Sequence, residues 1–123
     1  TAPADGVVAY ARAKRAQVVL TEQWARRYPE VAAFHSTHPG WADTPGVASS
    51  LPRFHSIIGP LLRTPEQGAD TVCWLATAPA ADQVNGKLWL DRGIRQTSKV
   101  PWTITGQAQA DALWDRVSRE TGA

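Results

Sequence analysis

Residues 31–46 read Val31-Ala-Ala-Phe-His-Ser36-Thr-His38-Pro-Gly-Trp-Ala-Asp-Thr-Pro-Gly46, and the fold turns on this stretch. Val31 to Ser36 is short, mostly apolar and bounded by Pro29 and Pro39, which favours a buried strand over a helical turn. Pro39-Gly40 and Pro45-Gly46 then force a loop directly after the strand. In open α/β sheets, ligands bind just beyond the carboxyl ends of the strands, so this loop is a candidate binding element. Its two Pro-Gly pairs leave few backbone conformations to lose, and it can present amides and the Thr44 hydroxyl at low entropic cost. The plainer alternative is a rigid connection that holds no ligand.

Working outward, residues 7–28 carry Tyr10, Ala11, Val18, Leu20, Trp24 and Ala25 at helical spacing among Arg12, Lys14, Arg15, Glu22 and Arg26, and Tyr28-Pro29 ends the helix. Downstream, Ser49 to Leu62 is apolar but broken by Pro52, Gly59 and Pro60, which predicts helix in pieces. Thr64-Pro65-Glu66-Gln67 is a helix start, with a threonine cap, proline at the first position and glutamine closing a capping box. Ala69, Val72, Cys73 and Ala76 follow at i, i+3, i+4 and i+7 as one inward stripe, and Pro79 closes the segment. Asn85-Gly86 is a turn. Lys87 to Asp91 alternates as a strand with Leu88 and Leu90 on one face. A loop with Gly93, Pro101 and Trp102 leads to a last helix, Gln107 to Glu120, striped by Ala110, Leu113, Trp114 and Val117. The order is α/β with two strands, which should be parallel and joined by a right-handed crossover. Two such strands make no convincing sheet alone, so one edge should continue in further strands.

The 123 residues contain no methionine, and the chain opens Thr1-Ala2-Pro3. It reads as trimmed at its front or cut from something longer. With 43% hydrophobic and 20% charged residues, disorder and fibrous classes are excluded. A net charge of +2, spread along the chain, offers no dedicated nucleic-acid surface. No apolar run approaches the roughly 20 residues of a membrane span, and no signal-peptide pattern is present. The single cysteine, Cys73, forms no internal disulfide; a reducing, cytoplasmic location is expected.

Tyr10 and Lys14 stand four residues apart, on one face of the first helix and within reach of a common ligand. Such a pair suits proton transfer: phenol, with a reference pKa of about 10, needs a nearby cation to act near neutral pH. The pair alone is common on surface helices. His35, His38 and Asp43 offer zinc-ligand chemistry but no recognised signature, so no metal is expected. Cys73, on an apolar stripe, reads as a small core residue rather than a nucleophile. Trp24, Trp74 and Trp114 read as packing residues, the packing extending to a partner subunit, and Arg26 and Arg27 as a solvated helix end.

Taken together, the order Tyr10-x-x-x-Lys14, strand, Pro39-Gly40-x-Ala42-x-Thr44, Arg63-Thr-Pro-Glu-Gln-Gly-Ala-Asp-Thr71 and Asn85-Gly-Lys-Leu-Trp-Leu-Asp91 resembles the C-terminal half of the short-chain dehydrogenase/reductase family. The wording around His38 to Val47 and Leu51-Pro-x-Phe54 is similar to members near the retinol-dehydrogenase-like branch. The resemblance covers nearly the whole chain and implies that residues 1–123 are the C-terminal portion of one Rossmann-type, doubly wound parallel-sheet domain. Within it, 7–28 would be the catalytic helix, 38–62 the cofactor loop and substrate lid, and 64–123 the last helix, last strand and C-terminal helix.

The implied activity is NAD(P)-dependent interconversion of a carbonyl and an alcohol. Tyr10 would be its acid/base residue, and Lys14 would bind the nicotinamide ribose and lower the pKa of Tyr10. Backbone groups of Pro39, Gly40 and Ala42, with the Thr44 hydroxyl, would contact the nicotinamide end. Phe54, Ile57 and Ile58 would belong to a lid over a small apolar carbonyl or alcohol, with Trp41 and Trp102 as looser candidates for its walls. The sequence departs from the family in lacking the glycine-rich pyrophosphate turn and the upstream catalytic serine and asparagine. The cofactor, NAD or NADP with NADP favoured, is therefore expected to bind only with an N-terminal half in place. The chain alone should be inactive. A homo-oligomer through the 7–28 helix is the implied partner. The rival expectation is a non-catalytic dimerisation or assembly fragment of the same fold.

Overall fold

The computed structural model describes residues 5–43, 45–46, 56 and 59–122. Helix α1 spans Gly6–Arg27. Asp5 caps it, its side chain accepting from the Val7 amide at 3.0 Å. The Tyr28 amide donates to the Trp24 carbonyl and closes its end before Pro29. Strand β1, His35–Thr37, is shorter than the expected Val31–Ser36. The reason lies in Asn85, whose side-chain oxygen takes the Phe34 amide at 2.7 Å while its NH2 reaches the Ala32 carbonyl at 3.3 Å. A side chain thus stands where a neighbouring strand would be, and ladder pairing begins only beyond it.

Strand β2, Lys87–Leu90, pairs parallel to β1, with Ser36 opposite Leu88 and Thr37 opposite Trp89. The parallel expectation holds. The expectation of only two strands does not. Strand β3, Gly93–Arg95, lies where the sequence pattern predicts loop; it pairs antiparallel to β2 and makes a sheet of order β1-β2-β3. The connection is two residues, Asp91 and Arg92, at φ 54° and 56°. Positive φ at both central positions is the primed hairpin turn, which matches the right-handed twist of its strands. Asp-Arg is not the Asn-Gly or Asp-Gly pair that announces such a turn in sequence.

Helix α2, Pro65–Leu75, starts on the predicted capping box: Thr64 Oγ1 accepts from the Gln67 amide and Gln67 Oε1 from the Thr64 amide. Its inward face, however, is Gly68, Thr71, Trp74 and Leu75, whereas Ala69, Val72, Cys73 and Ala76 face outward. Polar anchors and one close approach decide this orientation. The Thr71 hydroxyl accepts from the Arg92 amide, Asp70 grips the Arg92 guanidinium, and Gly68 lies against Pro39 and Ala42. Trp74 meets Trp89, the most buried residue of β2, with ring centroids 5.4 Å apart.

Helix α3, Gln107–Thr121, ends on Gly122 at φ 72° and buries Ala110, with Leu113, Trp114 and Val117 half-buried along the predicted stripe. Trp24 meets Trp114 edge-on at 5.1 Å, and Tyr28 and Phe34 extend this aromatic cluster between α1 and α3. Arg26 and Arg27 are not a bare solvated end: both pair with Asp111 and with the buried Gln23, and Arg27 lies over the Trp114 ring. Among the described residues the buried apolar set is Val19, Ala25, Ala81, Trp89 and Ala110, centred where α1 meets the sheet and α3.

Candidate active site

Tyr10 and Lys14 lie in the exposed first half of α1. One helical turn brings the Lys14 ammonium within 5.7 Å of the centre of the Tyr10 ring. Tyr10 is 65% exposed, so phenol and ammonium are both accessible from solvent. The next residue, Arg15, was not singled out in the sequence. It donates to the Thr97 and Thr103 carbonyls and to the Ser98 and Thr105 hydroxyls, tying the 97–105 segment to the helix just beside Lys14. Only a fork of five donors can satisfy so many acceptors at once.

The loop after β1 is held from several directions. The His38 amide continues the ladder to the Trp89 carbonyl, and His38 Nδ1 accepts from the Gly40 amide at 2.9 Å. That amide is therefore spent inside the loop. Gly40 sits at φ 75°, a backbone conformation that favours glycine, and a Cβ there would lie 2.8 Å from the Arg63 guanidinium. Arg63 also pairs through its backbone: its amide donates to the Trp41 carbonyl at 2.9 Å and its carbonyl accepts from the Asp43 amide at 2.8 Å. In this parallel bridge the N–H and C=O of Ala42 itself point away from Arg63.

The Arg63 head group meets Asp91 through two parallel hydrogen bonds, of 2.5 and 2.9 Å. Hydrogen bonding to Arg63 holds the Asp91 carboxyl below its ordinary range, and Arg92 does the same for Asp70. Sequence periodicity gave no sign of Arg63 or Asp91, because the contact joins a residue before a helix cap to a residue in a turn 28 positions later.

The structure thus brings Tyr10 to Lys14, and gathers Pro39, Gly40 and Ala42 against Arg63 and Gly68. Thr44, Phe54, Ile57 and Ile58 lie outside the described residues. Trp41 and Trp102 are 58% and 84% exposed. His35 is occupied structurally: its Nδ1 accepts from the Trp89 indole and its Nε2 faces the Ala81 carbonyl at 3.1 Å. No cluster of three metal-ligating side chains occurs among the described residues, and none of their helices is long and apolar enough to cross a membrane.

The chain is 56% identical over 108 residues to a bovine protein named dehydrogenase/reductase SDR family member 12, covering 87% of the chain and 33% of that protein. The human protein of the same name is 53% identical over 91 residues, covering 73% of the chain and 28% of that protein. A Streptomyces protein named putative daunorubicin C-13 ketoreductase DnrU is 35% identical over 118 residues, 93% of the chain and 38% of that protein. The chain belongs to the short-chain dehydrogenase/reductase family. It spans about a third of the length of the curated relatives it matches. No family profile matches it, and no solved structure does.

Proposed function

We propose that this chain supplies the proton-transfer helix and the cofactor-facing loop of an NAD(P)-dependent oxidoreductase that interconverts a small apolar carbonyl compound and its alcohol. The observation that carries the reading is the solvent-facing Tyr10–Lys14 pair at the front of α1, in a chain related to proteins named dehydrogenase/reductase and ketoreductase. Tyr10 gives its phenolic proton to the carbonyl oxygen, or takes one from the alcohol. Lys14 holds ribose hydroxyls; among the described residues no hydrogen bond or ion pair claims its ammonium, so the donor set suits that group. The carbonyls of Pro39, Gly40 and Ala42, the Ala42 amide and the Thr44 hydroxyl hold the nicotinamide end, while Phe54, Ile57 and Ile58 shield the substrate. When bound, the nicotinamide exchanges the hydride.

In this reading β1 and β2 are the late strands of a doubly wound parallel sheet, β3 is its antiparallel appendix, and the protein is cytoplasmic. The exposed Val7 and Val8 support a homo-oligomer through α1. They equally suit the rival reading, a non-catalytic assembly module.

The test is titration with NADPH and NADH, followed by nicotinamide fluorescence, of the 123-residue chain and of the full-length protein that carries it. The expected result is saturable binding and carbonyl reduction by the full-length protein and neither by the 123 residues alone. A full-length protein that binds neither nucleotide would remove the oxidoreductase reading and leave the assembly module.

A further inference from the structure

We infer that Arg63 is the positioning residue of the 39–43 loop, and that Asp91, at the tip of the β2–β3 hairpin, holds Arg63 in the posture that aims the Ala42 backbone outward. This rests on the proposal that the loop faces a nicotinamide nucleotide, and it adds residues that neither the Tyr-Lys pair nor the Pro-Gly loop contains.

Three features converge on Arg63. Its backbone closes both hydrogen bonds of the bridge to the loop, leaving the Ala42 N–H and C=O on the opposite side. Its guanidinium occupies the space where a side chain at residue 40 would stand, so the head group lies over the open side of Gly40. Asp91 grips the outer edge of the same guanidinium with two hydrogen bonds. A guanidinium is planar, and a bidentate carboxylate sets the plane of the fork. The head group therefore cannot pivot away from Gly40 without losing both bonds.

Asp91 is itself held in place. It sits at φ 54° in a two-residue turn, a conformation that costs a non-glycine residue free energy. Arg92, the other turn residue, is anchored to Asp70 and to the Thr71 hydroxyl of α2. Two neighbouring ion pairs thus meet at one turn with different reach: Asp91–Arg63 continues into the loop, whereas Arg92–Asp70 ends on α2. The second pair is the internal control for the first.

The test uses the full-length protein and three readouts: affinity for NADPH and NADH, melting temperature, and hydrogen exchange at the Gly40 and Asp43 amides. Arg63→Ala and Asp91→Asn are expected to weaken nucleotide binding by roughly tenfold and to speed exchange at both amides. Asp70→Asn, which removes the ion pair between the same turn and α2 without touching the loop, is expected to do neither. Reversing the pair, Arg63→Asp with Asp91→Arg, should restore the melting temperature but not the affinity, because no guanidinium then lies on Gly40. Nucleotide affinity in Arg63→Ala equal to that in Asp70→Asn, or full rescue of affinity by the reversed pair, would overturn the assignment. A wild-type protein that binds neither nucleotide refutes the underlying oxidoreductase reading, and the assignment falls with it.

Discussion

At the scale of single residues, the candidate chemistry rests on one helical turn. In the proposed reaction Tyr10 contributes a transferable proton and Lys14 a charge; the i, i+4 spacing puts both on one face of α1, where the ammonium lies 5.7 Å from the ring centre. Tyr10→Phe removes the proton while keeping the ring. In the full-length protein it should abolish carbonyl reduction and leave NADPH affinity nearly unchanged, measured by turnover and fluorescence titration side by side. Retained turnover would take Tyr10 out of the mechanism. This pair was legible in the sequence because its geometry is local. The contacts of Arg63 were not, because Gly40, Trp41, Asp43 and Asp91 are brought to it only in the folded chain.

At the scale of elements, what could be read from sequence followed the same division. The α2 capping box needed only four consecutive residues and was predicted as it stands. The face of α2 was predicted wrongly, since its apolar stripe lies outside and a threonine and a glycine lie inside. Val72→Ser should therefore shift stability by less than about 0.5 kcal/mol. Thr71→Val, which leaves the Arg92 amide without its acceptor, should cost on the order of 1–3 kcal/mol, read from urea denaturation. The β2–β3 turn carries a pH dependence as well. Asp91 and Asp70 both have carboxyls held below the ordinary value of 3.8 by their arginines. Their stabilisation is fully present above that value and is lost as pH falls through the lower, folded-state values. Both groups are exposed, so salt should weaken the effect. NMR signals of the Asp91, Arg92 and Gly93 amides should move together on acidification to about pH 2, while those of the α1 backbone near Val19 stay in place until global unfolding. Independent movement of the three would break the link.

At the scale of the whole molecule, sequence order and helical period gave the α/β class and the parallel relation of β1 and β2. The antiparallel β3 escaped because its turn has neither glycine nor asparagine at its centre, and is held by ion pairs that the strand pattern does not encode. The orientation of α2 also places Cys73 at the surface, where it was expected in the core. Its thiol should react in the folded chain with an aromatic disulfide reagent as fast as a free cysteine peptide does, without denaturant. Protection of that thiol would show that another surface covers the outer face of α2. The β2–β3 hairpin also gives assembly a direction in time. It joins neighbours in sequence and can close within ~1–10 μs. The β1–β2 ladder must instead bring His35 to Lys87 across the chain between them, a contact of much larger sequence separation. Hairpin closure is therefore expected to precede the Arg63–Asp91 contact, whose partners lie 28 positions apart, an order that folding kinetics of Asp91→Asn would check.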